Sequence, residues 1–234
     1  MAKFCTNCGK KLVDGKPCDC EKKEEKKVVE TEVVTTSSSD LVNEYLEALK
    51  GIFVKPVDTM KKFTKKANLT LTVIMLLLNS IIFGLFVYLF AKESVGSALS
   101  SIYYISGRGY EVPASVFFGA FVLMIVFFFC LGGLLHLIAN LTKKESDFKE
   151  IMALIGVNAV FTTVTTLVAL VFMFINGWLA AIILAIAGFM FLLNLYHGFV
   201  NYTAIDKNKI CYAFTVCYAI TLFLVCYVLP KIFD

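Results

Sequence analysis

The feature that most constrains this chain is a series of apolar runs, each close to the length of a membrane crossing. An α-helix rises 1.5 Å per residue, so about 20 apolar residues span a hydrocarbon core roughly 30 Å thick. Runs of that kind cover residues 68–91, 114–141, 151–175, 178–200 and 210–229. Of the 234 residues, 59% are hydrophobic, against about 45–50% in soluble domains. A water-soluble core of this size could not hide the excess. Pro113 precedes the second run, Asn176-Gly177 separates the third from the fourth, and Pro230 ends the fifth. These are helix-start and turn signals. The third and fourth runs are joined so tightly that an antiparallel hairpin is expected. The expected fold class is an all-α polytopic membrane protein with about five transmembrane helices over residues 67–230.

What precedes the first run is polar. No apolar stretch lies near the start, as a cleavable secretory signal requires, so the N-terminal region is expected to belong to the mature protein. Residues 1–20 hold four of the eight cysteines, Cys5, Cys8, Cys18 and Cys20. Cys5-x2-Cys8 lets two sulfurs of one turn converge on an ion, Gly9 supplies a permissive backbone, and Asp14-Gly15 is a hairpin signal between the two pairs. Thiolates are preferred zinc ligands, and four of them close a tetrahedral shell. The expectation is a small zinc ribbon with structural Zn at Cys5, Cys8, Cys18 and Cys20. Metal is favoured over a disulfide if the segment faces the cytosol. Nucleic acid is not an expected partner, because Lys3, Lys10, Lys11 and Lys16 come without a platform of aromatic side chains. Cys130, Cys211, Cys217 and Cys226 lie in apolar runs and read as small packing residues.

Residues 21–39, first Lys/Glu-rich and then Ser/Thr-rich, read as a flexible linker. Residues 40–66 form an amphipathic and basic juxtamembrane segment. Leu41, Val42, Tyr45, Leu46, Leu49 and Phe53 recur at helical spacing, with Asp40 as N-cap and an end near Gly51. After Pro56, Met60 and Phe63 alternate with Lys61, Lys62, Lys65 and Lys66, a pattern suited either to anionic lipid or to a solvated collar.

Lysine placement predicts orientation. With the N-terminus in the cytosol, the inner segments carry Lys50, Lys55, Lys61, Lys62, Lys65, Lys66, Lys143, Lys144, Lys149, Lys207 and Lys209, and the outer ones only Lys92, Arg108 and Lys231. The expected location is the plasma membrane, multi-pass, with the N-terminus cytoplasmic and the C-terminus outside. Residues 92–113 read as an external interfacial helix and turn, with Tyr103, Tyr104 and Tyr110 at headgroup level.

No Asp, Glu, Lys or Arg falls within the five runs. Ion-coupled transporters and intramembrane hydrolases place ionisable groups at depth, and neither His-Glu-x-x-His nor Gly-x-Ser-x-Gly occurs. No enzymatic activity is expected. Two histidines remain, and His136, Asn140, Asn158, Asn194 and His197 could form a polar layer near the cytosolic side. That layer would act as interhelical glue or line a shallow crevice. Ser80 with Gly84, and Ala181 with Ala185 and Gly188, have the spacing of close helix seams.

The segment MAKFCTNCGKKL resembles the first knuckle of the short zinc ribbons found at the N-termini of many bacterial membrane proteins. Cys18-Asp19-Cys20 is tighter than the second knuckle usual there. From GIFVKPVDTMKKF onward, roughly over residues 50–230, the chain resembles the bacterial branch of the Yip-type five-pass membrane family. The likeness rests on Pro56 before a basic collar, five spans and a long first external loop. It implies a five-helix membrane domain. The small-GTPase-linked traffic of eukaryotic members is not carried over.

Three roles remain open. The first is a membrane-anchored adaptor or scaffold whose ribbon recruits a cytosolic protein, with the bilayer as its other partner. The second is a small-solute transporter or channel through the polar layer. The third is a sensor whose tail folds on zinc.

Overall fold

A computed structural model describes residues 38–106, 112–141, 146–203 and 207–233, and the regular elements among them are all helical. They are α1 (Ser38–Val54), α2 (Pro56–Lys66), α3 (Leu69–Ser106), α4 (Ser115–Leu141), α5 (Phe148–Met173), α6 (Gly177–Thr203) and α7 (Lys207–Phe233). Cys5, Cys8, Cys18, Cys20 and the linker lie outside the described residues.

Four stretches are long and apolar enough to cross a membrane: Leu69–Glu93 within α3, and α4, α5 and α6. α7 is 27 residues long, about 40 Å of rise; the apolar stretch within its described side chains is Ile210–Phe223, and the rest of the expected fifth span lies outside them.

α5 is the hub. Of its most apolar window 61% is buried by protein, against 22–33% for the other three spans. Residues 151–160 are buried without interruption, because α1, α2, α3, α4 and α6 all pack on this helix. Glycines allow the approach. A Cβ at Gly156 would lie 3.1 Å from Thr72 Cγ2, one at Gly132 would lie 2.5 Å from Met152 Sδ, and one at Gly198 would lie 2.9 Å from both Leu154 Cδ1 and Met60 Sδ. The expected α5–α6 hairpin is present. Asn176 Oδ1 accepts from the backbone N–H groups of Trp178 (2.9 Å) and Leu179 (3.3 Å), satisfying donors that the first turn of α6 leaves open. Asp147 Oδ1 does the same for α5 through Lys149 N–H at 2.9 Å.

The other helices turn one face outward. Leu77, Phe118, Phe129, Ile182 and Phe189 are among the exposed large side chains. A soluble surface does not carry apolar area on this scale. A lipid-facing one does.

Three local expectations change. α1 starts at Ser38, before Asp40, and runs past Gly51 to Val54. Gly51 does not end the helix; it is where Thr59 of α2 comes so close that a Cβ would collide. α3 continues unbroken to Ser106, so the interfacial helix expected after Lys92 is an extension of the first span. Of the two small-residue seams, only the first is closed. Gly84 sits 3.1 Å (from its would-be Cβ) from the carbonyl of Phe117. Ala185 and Gly188 are exposed, and α6 buries Ala180, Ala187 and Gly198 instead.

Pro56 occupies the first turn of α2, where its missing N–H is harmless. Its helix ends at Ala67, which adopts the left-handed conformation (φ 41°) and donates its N–H to Phe63 O at 2.9 Å. Glycine normally fills such a cap. Replacement Ala67→Gly is expected to raise stability by up to about 1 kcal/mol, read as a higher midpoint of thermal unfolding in detergent. Gly51→Val should separate α1 from α2 and lower that midpoint.

Candidate functional site

Lysine-bearing α2, the first turn of α5 with Lys149, and the last turns of α6 meet at one end of the bundle. The helical hairpin α1–α2 is folded onto them. Met60 and Phe63 are buried while Lys61, Lys62, Lys65 and Lys66 are exposed, as their alternation requires on a helix of 3.6 residues per turn. The apolar stripe expected on α1 divides in two. Leu41, Tyr45, Leu49 and Ile52 pack into the core cluster, whereas Val42, Leu46 and Phe53 are exposed.

The four lysines have different surroundings. Lys66 Nζ donates to Glu44 Oε1 at 3.1 Å, and Asn68 Nδ2 donates to the other oxygen of that carboxylate at 3.1 Å. Lys62 pairs with Glu47. That hydrogen bond holds the Glu47 carboxyl below its ordinary pKa, partial desolvation opposing it. Lys61 and Lys65 instead line a cleft of about 370 Å³ between α2, α5 and α6, with Glu150, Asn201 and Tyr202 on its other walls. Tyr202 O–H donates to Glu150 Oε2 at 2.6 Å, which ties α6 to α5 at the cleft floor.

Of the five residues expected in a polar layer, the structure brings two together. His136 and Asn140 form a closed triangle with Ser146. His136 Nε2 lies 3.1 Å from Asn140 Nδ2, His136 Nδ1 lies 3.1 Å from Ser146 Oγ, and Ser146 Oγ donates to Asn140 Oδ1 at 2.9 Å. Because the hydroxyl proton is spent on Asn140, Nδ1 must carry the ring proton and Nε2 must accept, an assignment from the network alone. Asn158 is fully buried on α5, and its Nδ2 donates to Phe191 O of α6 at 2.7 Å. Asn194 is also buried, on α6. His197 is exposed and stacks edge-on with Tyr196, and its carbonyl accepts from Asn201 Nδ2 at 2.7 Å.

Nothing in the local pattern singles out Asn79, yet its side chain makes a buried network between α3 and α5. Its Nδ2 lies 3.1 Å from Ala159 O, 2.7 Å from Thr162 Oγ1 and 3.1 Å from Thr163 Oγ1. The available signal is the Thr162-Thr163 pair, at a similar distance into its own span. Among the described residues there is no group of three or more metal-ligating side chains.

A family model described as the Yip1 domain matches residues 50–229. The chain belongs to the Yip1 family. The match begins within α1 and takes in the whole of α2, so the end of the hairpin is part of the Yip1 domain and the four N-terminal cysteines are not. No curated protein and no solved structure matches the chain.

Tyr202→Phe, which leaves Glu150 without its donor, should cost this Yip1 domain about 1 kcal/mol, measured against wild type in the same detergent. The Glu47–Lys62 pair is exposed and worth less. Its sign is fixed. The carboxyl is held low when folded, so the contribution is complete above the ordinary carboxylate pKa of about 4 and fades as pH falls through the depressed value. Hydrogen exchange of α1 amides, corrected for intrinsic rates, should therefore gain protection with rising pH across that window, and Lys62→Ala should flatten the dependence.

Proposed function

We propose that this Yip1-family chain is a non-enzymatic membrane-anchored adaptor. In this reading Cys5, Cys8, Cys18 and Cys20 hold a structural zinc ion, and the resulting ribbon binds a cytosolic protein at the end of the 21–39 linker. The N-terminus is cytoplasmic in the plasma membrane and the C-terminus is outside. Lys61 and Lys65 contact anionic headgroups from the cleft beside Tyr202.

The observation that supports this reading best is how the hairpin is fixed. Met60 of α2 sits against Gly198 of α6 and Leu154 of α5, and Ala48 and Ile52 of α1 are buried in the same core. The chain before Ser38 thus starts from a rigid base in the bilayer. A recruiting head needs that kind of base. A donor set of four thiolates suits zinc and closes its shell, which favours structure and recognition over catalysis at the metal. Lysines clustered at one end of the bundle are the pattern of an inward face.

Zinc analysis of the purified full-length chain should find the metal bound stoichiometrically and find it lost in Cys5→Ser and Cys18→Ser. Deletion of residues 1–37 should leave membrane insertion and the unfolding midpoint intact. It should also abolish crosslinking of cytosolic protein to the head. Solute flux through proteoliposomes that survives this deletion would favour a transporter instead. Cysteine-accessibility labelling that placed the head outside the cell would overturn the orientation.

A further inference from the structure

The spans enclose a second, quite different space. A cavity of about 250 Å³ lies between α3, α4, α5, α6 and α7, walled chiefly by apolar side chains including Phe83, Leu123, Phe127 and Leu184. Asn79 lines it together with Thr162, Thr166 and Tyr218. Asn79 is ten residues beyond Leu69 at the start of α3, about 15 Å along the axis, which is half of a hydrocarbon core of about 30 Å. The cavity therefore sits near mid-membrane.

Asn79 is 1% exposed, and its Oδ1 accepts no hydrogen bond from the protein. The orientation of the amide is set by chemistry. Ala159 O, 3.1 Å from Nδ2, can only accept, so the NH2 group must face α5 and the carbonyl oxygen is the atom left over. An acceptor without a donor in hydrocarbon is costly. Asn158 Oδ1 is unpartnered too, but Asn158 does not line this cavity. Among the described residues, Asn79 is the one that both carries an unused acceptor and lines this cavity; the oxygen itself is buried, so a donor in the cavity reaches it as the lining side chains give way. The way in is through α6, where Gly188 lines the cavity, is exposed and has nothing within 4 Å of a would-be Cβ.

We propose that this cavity binds a neutral lipid alcohol, an apolar chain bearing one hydroxyl group, which enters beside Gly188 and donates its O–H to Asn79 Oδ1. Each element of the site selects for that class. The walls take an alkyl or isoprenoid chain, and the midplane depth excludes charged headgroups. The single unused acceptor requires a donor, so ketones, ethers and plain acyl chains gain nothing from it. Phospholipids keep their polar groups at the surfaces and cannot present one here.

The test uses the full-length chain in nanodiscs, a long-chain alcohol carrying a diazirine and an alkyne tag, and the methyl ether of the same molecule. Photolabelling by the alcohol should concentrate on cavity residues such as Phe83, Leu123 and Leu184 and be competed by untagged alcohol. It should exceed labelling by the ether about fivefold, the worth of one buried hydrogen bond. Gly188→Leu occupies open space and should fold normally while cutting that labelling about tenfold. Asn79→Leu should abolish the preference for alcohol over ether. Equal labelling by alcohol and ether in wild type would overturn the proposal, leaving a groove for ordinary acyl chains. So would labelling spread over the lipid-facing surface, or labelling unaffected by Gly188→Leu. The wild-type comparison and the Gly188 variant decide the matter even if Asn79→Leu fails to fold.

Discussion

Everything in this bundle is arranged around the enclosure of α5. Hydrocarbon gives two apolar helices little reason to prefer each other over lipid, so association depends on close packing and on polar groups that must find partners. α5 supplies both. Gly156 admits Thr72 of α3, Asn158 reaches the Phe191 carbonyl of α6, and Ala159, Thr162 and Thr163 receive Asn79 of α3. Thr163 also returns its own hydroxyl proton to Ala159 O at 2.8 Å, so a β-branched polar residue costs the helix no unsatisfied donor. The contacts to Thr72, Phe191 and Asn79 fall within two turns of one another along α5. The surrounding helices are fastened at one level and spread their outer faces to lipid.

Much of this was legible in the sequence. Run length alone gives four of the crossings, and Asn176-Gly177 gives the tightest hairpin. Pro56 gives the break between α1 and α2. What run length cannot give is rank among the spans. α5 is no more apolar than its neighbours, and its centrality is a property of what surrounds it. The same limit explains Gly51. In a one-dimensional pattern a glycine at the end of an amphipathic stretch reads as a stop, but here it marks the close passage of a second helix. The small-residue seams show it again. Ala181, Ala185 and Gly188 have the right spacing, yet α6 turns Ala180, Ala187 and Gly198 inward, and only the direction of the partner helix decides between adjacent faces.

The polar residues follow a similar division. His136 and Asn140 are four apart on one helix, so their meeting is written in their spacing. Their third partner, Ser146, comes from beyond the end of α4. Asn79 and the Thr162-Thr163 pair are separated by some 80 residues, and their pairing depends on the relative depth of two helices. The family match over residues 50–229 fixes the kind of membrane domain. It leaves open the chemistry of the N-terminal cysteines, which lie outside it.

The seat of Met60 against Gly198 has a mechanical consequence. A thioether lodged where any larger residue on α6 would collide works as a tooth in a notch. Tension applied to the chain ahead of Ser38 reaches α2 as a pull on that tooth, and it loads the α5–α6 pair sideways before any span is drawn out of the bilayer. The protein is geared at this point, and a strain begun in the chain before α1 is felt first in its most protected helix.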